Sequence, residues 1–247
     1  TMDGKIQEGR HFLKAIWESF EGIVTDQHAG KPAPPLQKPV PAGADLFRLP
    51  DPADTSVAGT SVADAIAGRR SRRKLSPEPL NPAELSFLLW ATQGVRKQLN
   101  DHTAFRTVPS AGSRHPFETY LYIYASDQPE PGLYRYLPFD HALLPLSSDP
   151  ALGKQVHEGL FRQRFNAPVI FLWSVIPYRT EWRYAYEASK IIAIDAGHLC
   201  QNLYLACEEL GCGTCAVGAY DQKILDSALG LDGSDEFIIY CAPVGRR

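Results

Sequence analysis

Between residues 181 and 210, apolar side chains return at helical intervals. Ile191, Ile194, Ala196, Leu199, Leu203, Leu205, Ala206 and Leu210 keep close to the i, i+3/i+4, i+7 spacing of a helix with one buried face. No proline interrupts the run, and Gly211 stands where a C-terminal cap belongs, so the pattern predicts one long helix starting at about residue 181. Gly211-Cys-Gly-Thr-Cys-Ala-Val-Gly218 follows. It predicts a short strand whose glycine-lined end lets backbone N–H groups approach a flat ligand.

Elsewhere the pattern changes with position. Residues 61–68 read as a short helix capped by Ser61 or Thr60. Asn81 at an N-cap and Pro82 at the first helical position open a second helix, with Leu85, Leu88, Leu89 and Trp90 inward and a stop at Gly94. A polar loop follows. Strands are predicted at 119–124, 131–136 and 141–146, and the near-continuous apolar run 168–176 predicts a central strand covered on both faces. A helix capped by Ser148 or Asp149 runs to Arg164, another starts at Asp221, and 236–244 is the last strand. Such alternation predicts a layered α/β or α+β domain with a central mixed sheet flanked by helices.

Residues 1–60 break this pattern. Phe12, Ile16 and Phe20 fit one face of a short helix, and seven prolines between Pro32 and Pro52 exclude helix and central strand. We read 1–60 as a helix plus an extended Pro-rich arm draped over its own core or a partner, because Trp17, Leu36, Leu46 and Phe47 are costly to leave in water. Residues 61–247 form the compact domain. Composition fits a soluble globular chain, 44% hydrophobic and 21% charged. A net charge of −3 gives no global attraction to nucleic acid or membrane, so an anion site must be local. The five cysteines, all between Cys200 and Cys241, read as reduced thiols, and a cytoplasmic location is expected.

Against that acidic balance stands Arg69-Arg-Ser-Arg-Arg-Lys74. Guanidinium forks and a hydroxyl satisfy phosphate oxygens by charge-assisted hydrogen bonds, so the run reads as a phosphate clamp. Arg106-Thr-Val-Pro-Ser-Ala-Gly-Ser-Arg-His-Pro116 is a proline-fixed polar loop entering a strand, a common place for a site. Cys212-Gly-Thr-Cys215 follows a helix C-terminus, whereas redox pairs of this spacing sit at a helix N-terminus. Clamp, polar loop, glycine-lined strand end and basic terminus together describe a site for a flat, phosphorylated ligand.

These pieces, in this order, resemble the flavin-dependent nitroreductase superfamily and, within it, the SagB-type dehydrogenases. The family's Arg-Arg-Ser-x-Arg-x-Phe is similar to Arg69-Arg70-Ser71-Arg72-Arg73-Lys74-Leu75, differing at the last position. Pro109-Ser-Ala-Gly-Ser-Arg-His-Pro116, Pro131-Gly-Leu-Tyr-Arg-Tyr136, the Gly197-His-Leu-Cys-Gln-Asn-Leu-Tyr-Leu-Ala206 helix and Cys215-Ala-Val-Gly218 resemble further motifs of that branch. The resemblance implies a three-layer nitroreductase-like fold with FMN at a homodimer interface. Carried over by position, Arg69, Arg70, Ser71 and Arg73 would bind the ribityl phosphate, with Arg246 closing that end. Pro109, Ser110, Ser113 and Arg114 would meet the ring, and Ala216, Val217 and Gly218 would offer backbone groups near its reactive edge. A Lys-Tyr pair associated with azoline oxidation in that branch matches Arg183-Tyr184, which we take as the catalytic pair. An arginine is effectively always protonated and cannot replace lysine as a base.

The resemblance thus implies an FMN-dependent oxidoreductase acting on a small-molecule or peptide-derived heterocycle. One alternative is an NAD(P)H-dependent nitro- or quinone reductase on the same scaffold. Another is a non-enzymatic flavin-binding or peptide-docking partner. Neither nucleic acid, membrane nor metal is expected as a partner.

Overall fold

The structure, a computed structural model, describes residues 2–247. In chain order the elements are α1 (Met2–Leu13), β1 (Phe47–Arg48), α2 (Val62–Gly68), α3 (Pro82–Gln93), β2 (Val95–Asn100), β3 (Thr103–Arg106), β4 (Phe117–Ile123), β5 (Gly132–Leu137) and β6 (Ala142–Ser147). They continue with α4 (Pro150–Gly159), β7 (Val169–Val175), α5 (Tyr178–Tyr184), α6 (Ala188–Glu209), β8 (Cys212–Thr214), α7 (Gln222–Leu229) and β9 (Phe237–Arg246).

Seven strands form one sheet in the order β1-β6-β5-β4-β7-β9-β8. Every ladder in it is antiparallel, which corrects the expected mixed sheet. Among the described residues, parallel pairing occurs only as isolated bridges, at Ser71–Thr214 and Leu80–Ser126. The short links between β4, β5 and β6 allow only reversal, and β7 then lies antiparallel beside β4 over seven residue pairs. Side chains of β7 alternate between two cores. Phe171 and Trp173 join Leu85, Leu89 and Leu199 of α3 and α6, while Ile170 and Leu172 join Val156 of α4, Leu160 just after it and Leu225 of α7. With helices on both faces, the strand has no wet side, which explains its unbroken apolar run.

Local chemistry sets the clearest boundaries. Asn81 and Glu84 form a reciprocal capping box at α3, Asp221 caps α7, and Ser61 caps α2. Other expectations need correction. The predicted long helix is interrupted at Ala185, which adopts φ 43° and ψ −128° between α5 and α6. Helix α4 ends at Gly159 rather than Arg164, because Phe161, Arg162, Phe165 and Asn166 all take positive φ. Residues 95–106 form the antiparallel β2–β3 ribbon rather than a loop. Trp90 is 38% exposed rather than inward. Phe12 lies in α1 and Phe20 in a separate 3-10 turn, so they share no single helix.

The proline-rich segment makes specific contacts with the domain. Leu36 is buried, and its carbonyl accepts from the Arg106 guanidinium at 2.8 Å. Lys38 pairs with Glu236 and donates to the Tyr120 hydroxyl. Arg135 donates to the Pro39 carbonyl at 2.8 Å.

Candidate active site

Helix α2 ends at Gly68 with Arg69 as its cap, and the chain then crosses the sheet's edge strand. Arg72 N–H donates to the Thr214 carbonyl at 2.9 Å. That crossing brings the basic run against α6 at Tyr204. The Tyr204 hydroxyl lies 3.0 Å from Ser71 Oγ and accepts from Ala216 N–H at 2.8 Å. The Arg69 guanidinium sits 5.1 Å from the centre of the Tyr204 ring. One tyrosine therefore gathers three predicted site residues from separate stretches of sequence. Arg70 turns back to the carbonyls of Ala67 and Arg69. Among the described residues, Arg69, Arg70 and Arg73 have no carboxylate partner. Unneutralised guanidiniums beside an exposed hydroxyl suit a phosphate chemically.

The other residues of the predicted phosphate group lie apart. Arg246 pairs with Glu84 at 2.8 Å and Glu78 at 3.2 Å, tying β9 to the start of α3. Arg73 lines a cavity on the α4 side of the sheet. At the strand end, Val217 N–H donates to the Cys241 carbonyl at 2.8 Å, so its amide is committed to the sheet. Gly218 is exposed, and a Cβ there would meet only Tyr240, at 4.0 Å. Open space in front of a bare backbone is what a planar ligand needs.

The polar loop meets α6 at a different place. Ser110 Oγ donates to Asp195 Oδ2 at 2.6 Å and accepts from His115 N–H at 2.9 Å. Burial raises the Asp195 carboxyl above the ordinary aspartate range, partly opposed by the hydrogen bonds from Ser110 and Ala111. Ser113 and His115 both adopt positive φ. Arg114 is buried, lies 5.0 Å from the Trp182 ring centre and donates to the His102 carbonyl at 3.2 Å. Burial, with Arg183 nearby, lowers its pKa. Burial and the charge of Arg106 push His115 down to about 3, which makes it a neutral structural imidazole. Pro109 is exposed at the start of the loop.

Arg183 and Tyr184 stand at the end of α5 against this loop. Gly112 has φ 57°, and a Cβ there would come within 2.7 Å of the Tyr184 hydroxyl and 3.0 Å of Arg183 Cδ. The Arg183 guanidinium lies 5.6 Å from the Tyr184 ring centre, and Trp17 meets that ring edge-on at 6.1 Å. No carboxylate pairs with Arg183 among the described residues, so Glu181 and Glu187 leave its charge unneutralised. All five cysteines are buried and free, and burial pushes Cys200 up to about 12 and Cys212 up to about 11. Thiols raised in this way, Cys200 and Cys212, stay protonated and inert.

Tyr204 and Asp195, which organise the two groups, were not singled out from sequence. Asp195 carried a usable signal, a carboxylate inside the buried stripe of an apolar helix. They are nine residues apart on α6, about 13.5 Å along the axis and roughly half a turn around it. The two groups therefore flank the helix on opposite sides. The exposed face, with Ala193, Ile194, Gly197 and Gln201, lies on the Tyr204 side of the helix, while Asp195 faces inward.

This arrangement has known relatives. The chain matches the nitroreductase family over residues 66–246. It is 31% identical over 203 residues to a nitroreductase-named protein of Methanocaldococcus jannaschii, covering 81% of this chain and 96% of that one. A nitroreductase-named structure from Ralstonia eutropha matches at TM-score 0.65 and 25% identity, over 87% of this chain and 98% of that chain. The E. coli microcin synthetase McbBCD complex with truncated pro-MccB17 bound matches in fold at TM-score 0.61 and 17% identity, covering 98% and 97%. No helix among the described residues is long and apolar enough to cross a membrane. Members of the matched family typically use FMN and are usually dimers. With the family matched across most of its length, the chain belongs to the nitroreductase family and is a flavin oxidoreductase.

Proposed function

We propose that the chain is an FMN-dependent dehydrogenase of SagB type, oxidising a heterocycle in a small molecule or modified peptide. The observation that carries this reading is the convergence of Arg69, Ser71 and Ala216 on Tyr204. Arg69, Arg70 and Ser71 would hold the phosphate there. Gly218 would leave room for the flat ring. Arg73 and Arg246 would act at a distance, since Arg246 is already held by two glutamates.

Because Ser110 and Arg69 flank opposite sides of α6, a homodimer supports this reading best. Its second copy would bring Pro109, Ser110, Ser113 and Arg114 to the other copy's phosphate group. The exposed α6 face suits that packing: Ile194 is 50% exposed and a Cβ on Gly197 would touch nothing within 4 Å. Compact residues there allow two helices to approach closely.

When bound, the flavin accepts or returns a hydride, and the protein supplies placement and charge. Arg183 stays cationic and orients a carbonyl or anionic group, while Tyr184 exchanges the substrate proton through its hydroxyl. The shared fold with a synthetase holding truncated pro-MccB17 supports a peptide-derived substrate at the level of fold only. The nitroreductase names of the relatives favour the second reading, reduction by NAD(P)H. Anaerobic stopped-flow absorbance separates the two. Flavin bleaching by an azoline or cyclic amine without nicotinamide supports the dehydrogenase; rapid bleaching by NADPH alone, with none by the heterocycles, rejects it.

A further inference from the structure

On the α4 side of the sheet lies a cavity of about 730 Å³, of whose lining the flavin reading uses Arg73 alone, at a distance. Its cationic lining comes from three places: Arg73 and Lys74 before the first core leucine of that face, Lys154 and His157 on α4, and Arg162 and Arg164 in the turn after it. No acidic residue among the described residues lines it. Five permanent cations share one concavity in a chain whose net charge is −3. None of the five has a carboxylate partner among the described residues. Of the nearby acids, Asp149 accepts from Ala151 N–H at the start of α4, and Glu158 lies near enough to His157 to favour its charged form.

The turn that carries Arg162 and Arg164 is held in a costly conformation. Four non-glycine residues between 161 and 166 take left-handed φ, a region that L-residues rarely adopt. The result aims cations into the cavity instead of letting α4 run on. Arg164 stacks 4.2 Å from the Tyr124 ring centre, and Tyr122 meets Tyr124 edge-on at 4.6 Å. His157 Nδ1 is buried without a hydrogen-bond partner. Aromatic surface, a donor-rich rim and an unmatched imidazole nitrogen lie in one cavity.

Like charges gathered around one concavity attract a counter-anion, although four of these five cations are exposed to solvent. The cavity also lies across the sheet from Tyr204, since Leu75 and Tyr122 belong to the core under α4 and α7 while α6 covers the other face. We infer that this cavity is a second binding site, for a ligand carrying at least two phosphates, distinct from the flavin site. Single phosphates engage only part of the lining. A diphosphate spans Lys154 and Arg162 on one side and Arg73 and Lys74 on the other, and the tyrosine-phenylalanine wall receives an attached ring.

The test uses flavin-loaded wild-type protein at low salt, titrated calorimetrically with inorganic phosphate, pyrophosphate and ADP. Pyrophosphate is expected to bind at least tenfold tighter than phosphate. ADP tighter again assigns a nucleoside diphosphate; ADP equal to pyrophosphate assigns a free polyphosphate. The exposed pair Lys154→Glu/Arg162→Glu should weaken pyrophosphate binding at least thirtyfold while flavin content and melting temperature hold. Lys154→Gln, a milder change, should weaken it by a smaller factor. Pyrophosphate and ADP that fail to bind at millimolar concentration overturn the proposal. So does binding that survives the double reversal, or binding that releases flavin, which would place the anion in the flavin site.

Discussion

The two flanks of α6 are built on opposite principles. Around Asp195 the loop closes on itself: Ser110, Ala111 and His115 are hydrogen-bonded within the chain, Arg114 is buried, and little is left for a ligand to complete. Around Tyr204 the hydroxyls of Ser71 and Tyr204 meet, yet among the described residues Arg69 and Arg70 have no carboxylate partner. The first flank is finished structure whose surface sets a shape. The second is an unfinished charge balance that a ligand completes. Residue type does not distinguish them, since both contain arginine and serine. What differs is whether the partners are already present.

The largest effect that would test this contrast lies on the closed flank and is read as stability. His115 falls from an ordinary 6.5 to about 3 in the folded protein, so the unfolded chain binds more protons between those values. Its contribution is full above pH 6.5 and is lost as pH falls toward 3, at up to about 1.4 kcal/mol per pH unit. His115→Asn tolerates the positive φ and removes the titration, so its denaturant midpoint should change less between pH 7 and 4 than that of the wild type. An unchanged acid limb would show that the loop is less closed than described.

On the open flank, Arg69→Ala should weaken FMN binding about 10- to 100-fold, the range expected for one or two charge-assisted hydrogen bonds. Its melting temperature should stay within about 3 °C, because no ion pair is broken. A large fall in stability with unchanged flavin affinity would invert the comparison. Tyr204→Phe should have the smaller effect on flavin, about fivefold, with roughly 1 kcal/mol of stability lost by leaving Ala216 N–H unpaired. Fluorescence titration and thermal melts read both.

Much of this frame was legible in sequence wherever a local rule decides it. Asn81-Pro82 and Asp221 marked helix starts, and the apolar run 168–176 marked the doubly covered strand. The clamp, polar loop and glycine-lined strand end were recognisable as pieces of one site. Their joining was not, because it depends on Tyr204, an ordinary aromatic in a helical run. The break at Ala185 had no local signal either: alanine, tyrosine and glutamate continue a helix readily, and the interruption accompanies the packing of Gly112 on Arg183 and Tyr184. Strand direction was legible for β4, β5 and β6 from their short links, but not for β7 and β9, since side-chain alternation is the same in parallel and antiparallel sheets. The β2–β3 ribbon escaped because its exposed residues and register shifts carry no apolar alternation.

The central claim concerns the Tyr204 flank and a phosphate. Equilibrium titration of stripped protein with FMN and with riboflavin, which lacks the phosphate, compares them directly in wild type and in Arg69→Ala. The account predicts FMN at least 100-fold tighter than riboflavin in the wild type and most of that margin lost in the variant, about 10- to 100-fold. Equal affinity for the two flavins, or a margin that survives the loss of Arg69, would contradict it.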